Sequence, residues 1–376
     1  MSHPTPNYDS LRANFPFNWY VGAGTYALLA LVPEISLYDI NTNPEASIEL
    51  YRKGMPMFDE IFDERVQRPG YTTPAISYAH INGLGIDLVF PKFGEVNYEH
   101  TGWSLDRLIS IIELPVDWQN AGKMPFYIDY REKMRGAFPN EKISLALGYE
   151  GPMTTAYELR DYGAFTDLYD QPEQFKRFLH LMTESIIDFA RFRRVLEDQP
   201  QFDPSGTGMC DDVASMYSPD TWEEFVLPYQ HQYFDGLTEG VRSAHIEDLK
   251  PEHLHFLEDL GLVKFDPSIS PKICPIDLRD RCRAPFGWRL GSFHYATMSE
   301  GDVRDWIFKA VADGASYVFT HVSTGMVDEV TVRKVYTFME TAERVGAMLK
   351  AGAETGDLLA EVSDEGKRRF WGTWPD

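Results

Sequence analysis

Cysteine is scarce. Three residues, Cys210, Cys274 and Cys282, stand among 376, and none forms a CxxC pair. A disulfide framework is therefore not expected, and the usage suits a reducing compartment. Long apolar runs are missing too. The stretch 26–32 falls far short of the roughly 20 residues that span a bilayer, and the polar start MSHPTPNYDS has no basic region. Neither membrane insertion nor secretion is expected, and the chain reads as cytoplasmic. Positive charge is thin: 35 Lys and Arg face 58 Asp and Glu, a formal net charge of -23. Such a surface repels phosphate backbones, which argues against nucleic-acid binding. The basic clusters Arg191-Phe192-Arg193-Arg194 and Lys367-Arg368-Arg369 read as solvated helix faces. There is no internal repeat or low-complexity linker, and neither GxGxxG nor GxxxxGK[ST] occurs, so the usual dinucleotide and P-loop signals are absent.

What is present is an ordinary globular mix, 43% hydrophobic and 25% charged. Short β-like runs recur at 85–90, 143–148, 206–211, 241–247, 262–266, 287–291 and 316–322, with helical patterns between them. Asp170-Gln171-Pro172-Glu173 opens a long helix whose apolar residues Phe175, Phe178, Leu179, Met182, Ile186 and Phe189 follow the 3.6-residue period. Ser299 with Asp302 forms a capping box ahead of the stripe Val303, Trp306, Ile307, Ala310 and Val311, and Gly314 ends that helix. Strands alternating with helices imply parallel pairing through right-handed crossovers. The number of strands favours an α/β fold of the (β/α)8 TIM-barrel class over an open sheet. Residues 1–70, with one helix expected near 46–65, read as an amino-terminal extension packed on the barrel, and 71–376 as the barrel in a single domain.

In a barrel the chemistry gathers just past the carboxyl ends of the strands. Those ends read Gly148-Tyr149-Glu150-Gly151-Pro152, Cys210-Asp211-Asp212, His245-Ile246-Glu247-Asp248, Asp266-Pro267-Ser268, Ser292-Phe293-His294 and Thr320-His321-Val322. Residues i and i+2 of a strand point to one side, so His245 and Glu247 can present an imidazole and a carboxylate to one point. That is a metal-ligand spacing, with His321 as a candidate third donor; it is also the spacing of an ordinary hydrogen-bonded pair. Asp211 and Asp212 admit two readings. One is a raised-pKa acid beside an ionised neighbour, suited to proton transfer; the other is a tie for the loop before Ser218-Pro219. Cys210 is either a small buried residue or a reactive thiol, and His253 and His255 read as surface residues.

Four segments carry a family resemblance. They are Gly151-Pro152-Met153-Thr154-Thr155-Ala156, Asp167-Leu168-Tyr169-Asp170-Gln171-Pro172-Glu173, Tyr217-Ser218-Pro219-Asp220-Thr221-Trp222-Glu223-Glu224-Phe225 with Pro228-Tyr229, and the strand ending at His245. Together they resemble the uroporphyrinogen decarboxylase superfamily over roughly residues 74–346. The resemblance implies a (β/α)8 barrel and one of two chemistries: cofactor-free decarboxylation of a porphyrinogen, or zinc-dependent methyl transfer involving a corrinoid protein or a thiol. The R-x-x-G-R-Y segment of the decarboxylases, whose arginines hold substrate carboxylates, does not occur here. In the methyltransferase branch a His-x-Cys pair and a later Cys bind zinc; the matching positions here read His245, Glu247 and His321. With fewer thiolates the metal is a stronger Lewis acid, which suits an oxygen substrate. The expectation is a zinc-dependent O-demethylase methyltransferase with catalytic residues Asp211, Asp212 and His245. It would act on a methoxylated, aromatic methyl ether substrate and pass the methyl group to a corrinoid (cobalamin-type) cofactor. No D-x-H-x-x-G segment of the corrinoid-binding type occurs, so that cofactor is expected on a separate protein. The resemblance allows a homodimer. The alternatives are a metal-free decarboxylase or lyase using Asp211 or Asp212 as acid, and a non-catalytic binding partner.

Overall fold

A computed structural model describes residues 6–370. The described residues divide into two compact units: 35–49 and 70–244 form one, and 6–34, 50–69 and 245–370 form the other. Nine strands occur among the described residues: β1 (Asn18–Ala23), β2 (Val66–Gln67), β3 (Leu88–Val89), β4 (Asn97–Tyr98), β5 (Gly206–Cys210), β6 (Val241–His245), β7 (Leu262–Asp266), β8 (Gly287–Leu290) and β9 (Tyr317–Val322).

The first unit holds β5 beside residues 241–244 of β6. It also holds two bridged segments, where Thr72 pairs in parallel with Ser144 and Ile76 with Leu147. The Gly151 N–H donates to the Cys210 carbonyl at 2.6 Å, tying the segment after 143–148 to the end of β5. The long helix forms at Pro172–Leu196 and buries all six apolar positions named from its periodicity. The run 85–90 is not a barrel strand. Only Leu88–Val89 is extended, paired antiparallel with Asn97–Tyr98, and Gly85 turns the chain through a φ of +100° just before it.

In the second unit the sheet order is β2-β1-β9-β8, all parallel, and the Phe265–Phe286 bridge adds β7 next to β8. β9, Tyr-Val-Phe-Thr-His-Val, buries every side chain except His321, which is half-buried; this is the near-continuous burial of a parallel strand covered on both faces. The amino-terminal seventy residues do more than pack on a barrel, because β1 pairs with β9 over six residues, Asn18 with Tyr317 through Ala23 with Val322. The capping box of Ser299 and Asp302 starts the helix Glu300–Ala312, and Gly314, at φ +117°, takes the left-handed turn that ends it. Among the described residues no helix is long and apolar enough to cross a membrane.

Candidate active site

The carboxyl ends of the strands carry two clusters, one in each unit. In the second, His245 closes β6 and its Nδ1 lies 2.9 Å from Asp266 Oδ2 at the end of β7. Asp266 is itself fixed, since its Oδ1 accepts the Ser268 N–H at 2.8 Å and its carbonyl accepts the Ile246 N–H at 3.2 Å. A carboxylate on Nδ1 favours the tautomer with the proton there, which turns the Nε2 lone pair outward. His245 Nε2 is 3.4 Å from Oε1 of Glu247, which lies in the turn just past the end of β6. Hydrogen bonding to His245 holds Glu247 below the usual glutamate range despite burial, with smaller help from the Ser268 side chain and the charges of His245 and Arg289. Glu247 is thus an ionised oxygen donor beside a nitrogen donor. The turns that carry the cluster are unusual, because Asp248 and Ser268 both adopt positive φ, at 59° and 54°. Non-glycine residues seldom do so, and such positions concentrate where a site dictates the backbone.

His321 sits near the end of β9. Its ring meets Tyr20 and Phe319 edge-on, and a Cβ at Gly22 would lie 2.6 Å from its Cδ2, so the glycine makes room for the imidazole. Burial lowers its proton affinity, as does the Arg289 charge, against a weaker opposing pull from Asp266. The ring is therefore neutral near pH 7. Its Nδ1 is buried without a hydrogen-bond partner. The fold does not bring His321 to the His245–Glu247 pair: among the described residues the three do not gather their ligand atoms within the span of one ion.

The first unit holds a buried acidic cluster. Asp211 is fully buried; Oδ1 accepts the N–H groups of Met153 (2.9 Å) and Thr154 (2.8 Å), and Oδ2 accepts the Gln230 amide at 2.7 Å. It ties down the amino-terminus of the helix Pro152–Arg160, where two otherwise unpaired N–H groups and the helix dipole favour a carboxylate. The anchor is thus helix Pro152–Arg160, not the loop before Ser218. Burial raises its pKa to about 6 against those hydrogen bonds. Asp212 is half-buried, with Oδ2 3.8 Å from Cys210 Sγ. Burial, then the charges of Glu150 and Asp212, push the Cys210 thiol far above its ordinary value, so Cys210 is a protonated thiol and not a ready nucleophile.

Two residues beyond those singled out from sequence join this cluster. Glu150 has its pKa raised to about 7 by burial, then by the charge of Asp212, against hydrogen bonds with Cys210 and Ser77. Glu158, buried, is raised well above the ordinary range by burial and then by the charges of Glu150 and Asp211. The sequence signals were a carboxylate between glycines in Gly148-Tyr149-Glu150-Gly151, and a charge at position 158 among the buried helix positions 155, 156 and 159. His253, expected at the surface, is fully buried, because its Nδ1 accepts the Lys250 N–H at 3.0 Å in a tight turn; His255 is exposed as expected.

A family model described as "Uroporphyrinogen decarboxylase (URO-D)" matches residues 78–283. Among solved structures, a "methyltransferase from Methanosarcina mazei" superposes with a TM-score of 0.63 at 16% identity, covering 90% of this chain and 97% of its own. A search of curated proteins by sequence gave no match. At that identity the structural likeness is one of fold, and the fold class is the α/β TIM barrel expected from the alternation of strands and helices.

Proposed function

From the premise that the chain belongs to the uroporphyrinogen decarboxylase family, we propose that it is a zinc-dependent methyltransferase. It takes a methyl group from a methoxylated substrate, an aromatic methyl ether, and passes it to a corrinoid on a separate protein, an O-demethylation. The name carried by the structural neighbour supports methyl transfer. The observation that carries the reading is the His245–Glu247 pair buttressed by Asp266: one imidazole nitrogen faces a carboxylate oxygen at 3.4 Å while the other is held at 2.9 Å by a second carboxylate. That donor chemistry fits a zinc ion, and a carboxylate on the far nitrogen is the usual partner of a ligating histidine.

His245 and Glu247 hold the metal in this reading and Asp266 fixes the imidazole. His321, neutral and with its buried Nδ1 unpartnered, would have to move toward that pair to serve as the third donor. When bound, zinc supplies Lewis acidity toward an ether oxygen, so that a phenolate becomes a better leaving group. Glu150, with a pKa of about 7, holds or releases a proton near neutrality. Asp211, with both oxygens occupied by hydrogen bonds, is a positioning residue in this reading.

Elemental analysis of protein never exposed to chelator tests the proposal, alongside His245→Ala and Glu247→Ala. About one zinc per chain is expected, lost in both variants, with methyl transfer from methoxylated aromatics when a corrinoid protein is added. A wild-type protein without stoichiometric metal would overturn the zinc reading. It would favour the metal-free decarboxylase, in which His245 only hydrogen-bonds to Asp266.

A further inference from the structure

Three arginines near the carboxyl end of the helix Pro172–Leu196 differ in how their charge is met. Arg191 donates to the Gly236 carbonyl at 2.7 Å, and Arg194 pairs with Asp203 at 2.8 Å and donates to the Pro200 carbonyl. Arg193, between them in this cluster, has no such arrangement. Its Nη2 makes one long contact of 3.4 Å with the Leu145 carbonyl, its Nε is buried without a partner, and no carboxylate lies within ion-pairing distance among the described residues. The guanidinium sits over the Tyr149 ring at 5.5 Å. Burial is strong enough to lower the proton affinity even of this group. A cation–π contact returns only part of what it costs to take such a charge out of water.

Arg193 lines a cavity of about 200 Å³ together with Tyr149, Arg194, Glu197, Gln199 and Thr207, all within the first unit. The one carboxylate there, Glu197, accepts through Oε1 from Arg131 Nη1 at 3.1 Å and from the Leu145 N–H at 2.8 Å, and its charge reaches Arg193 only beyond ion-pairing distance. The other polar lining includes the Arg193 guanidinium, the Thr207 hydroxyl, the Gln199 amide and the hydroxyl of Tyr149, which also hydrogen-bonds with Tyr233. Its size suits a ligand of a few heavy atoms rather than a typical cofactor. Thr207 lies near the start of β5 and Cys210 at that strand's other end, while Tyr149 of the lining is next in sequence to Glu150 of the acidic cluster.

We propose that this cavity is a binding site for a small oxyanion, a carboxylate or a phosphate, with Arg193 as its charge partner. Arginine is the residue best suited to this, because its planar fork donates two parallel hydrogen bonds to such groups. The site is independent of any metal or methyl chemistry.

Thermal-shift and calorimetric titrations with inorganic phosphate and with malonate, each against chloride at matched ionic strength, test it on the whole protein. A saturable shift with phosphate, with malonate or with both is expected, and the comparison identifies which oxyanion the site prefers. Arg193→Gln should weaken binding by at least about tenfold, the loss of one charge-assisted hydrogen bond. If that variant does not fold, Thr207→Val and Gln199→Leu serve instead, with a smaller weakening expected from each. The proposal is overturned if neither anion produces a saturable effect beyond chloride. Unchanged affinity in Arg193→Gln, or in both substitutes, overturns it equally.

Discussion

Asp211 is the residue at which a structural role and a chemical role make opposite predictions. Replacing it with alanine removes three hydrogen-bond acceptances at once, from the N–H groups of Met153 and Thr154 and from the Gln230 amide. All lie around a side chain of zero exposure, so water does not readily replace the lost oxygens. Stranding a buried donor costs about 1–3 kcal/mol, and loss of a helix cap about 1 kcal/mol. Because some of these donors can relax, Asp211→Ala is expected to destabilise the protein by about 3–5 kcal/mol. Asp211→Asn is different. The amide keeps an oxygen for the two backbone donors, and its new N–H₂ can face Gln230 Oε1, which is buried without a partner, once that amide turns. A loss of about 1 kcal/mol or less is expected, with activity retained. Urea unfolding followed by fluorescence, with activity measured on the same samples, reads both. If the alanine variant lost less than about 1 kcal/mol, the hydrogen-bond reasoning would be wrong. If the asparagine variant kept its stability but lost activity by more than a hundredfold, Asp211 would be a proton carrier after all.

Glu150 yields a pH dependence. Its folded-state pKa, about 7, is raised above the ordinary value of 4.5, so the folded state holds this proton more tightly than the unfolded chain. The resulting stabilisation is complete below about pH 4.5 and is lost as pH rises through 7. Glu150→Gln should therefore gain on the wild type by up to about 3 kcal/mol between pH 4.5 and 8, read from denaturation midpoints across that range; a constant difference would contradict the assigned burial. At Gly22, a methyl group would meet His321 Cδ2 at 2.6 Å and push the ring aside. Gly22→Ala should lower metal occupancy by tenfold or more if His321 is a ligand, with a stability cost of only about 1–3 kcal/mol. Unchanged zinc content would remove His321 from the ligand set.

Much of the frame was legible because local pattern and tertiary environment agreed. Leu262–Asp266, with Leu262, Val263 and Phe265 as its apolar residues, is bounded by a glycine on one side and Pro267 on the other, and it forms β7. The helix Pro172–Leu196 has a proline at its first position and a regular apolar stripe. What stayed hidden depends on partners far along the chain. β1, Asn-Trp-Tyr-Val-Gly-Ala, has no clean alternation, and only its pairing with β9 makes it a strand. The bridged segment 72–76 contains Pro74 and is extended mainly by its neighbour at 144–147. The candidate site divides in the same way. His245 and Glu247 are two residues apart, close enough in sequence to be read as a pair, although β6 ends at His245 and a turn rather than strand alternation places Glu247. Asp266, 21 residues on, was visible as a polar strand end but not as the partner of His245. The tie from Asp211 to Met153 and Thr154 spans nearly sixty residues, and no local signal announces it.

The pairing of β1 with β9 also sets a timetable. A strand beginning at Asn18 finds its six-residue partner at Tyr317, about three hundred residues later. At a synthesis rate of about 5–20 residues per second, β1 leaves the ribosome roughly 15–60 s before the segment that completes its edge. During that interval Trp19, Tyr20 and Val21 belong to a strand with one side unsatisfied, apart from the short pairing of Val21 and Gly22 with β2. Sheet closure by the last strand carries a large loop-closure cost and is expected to be slow. A chain cut before Tyr317 would keep β1 open, so premature termination should yield an aggregating product rather than a shortened working barrel.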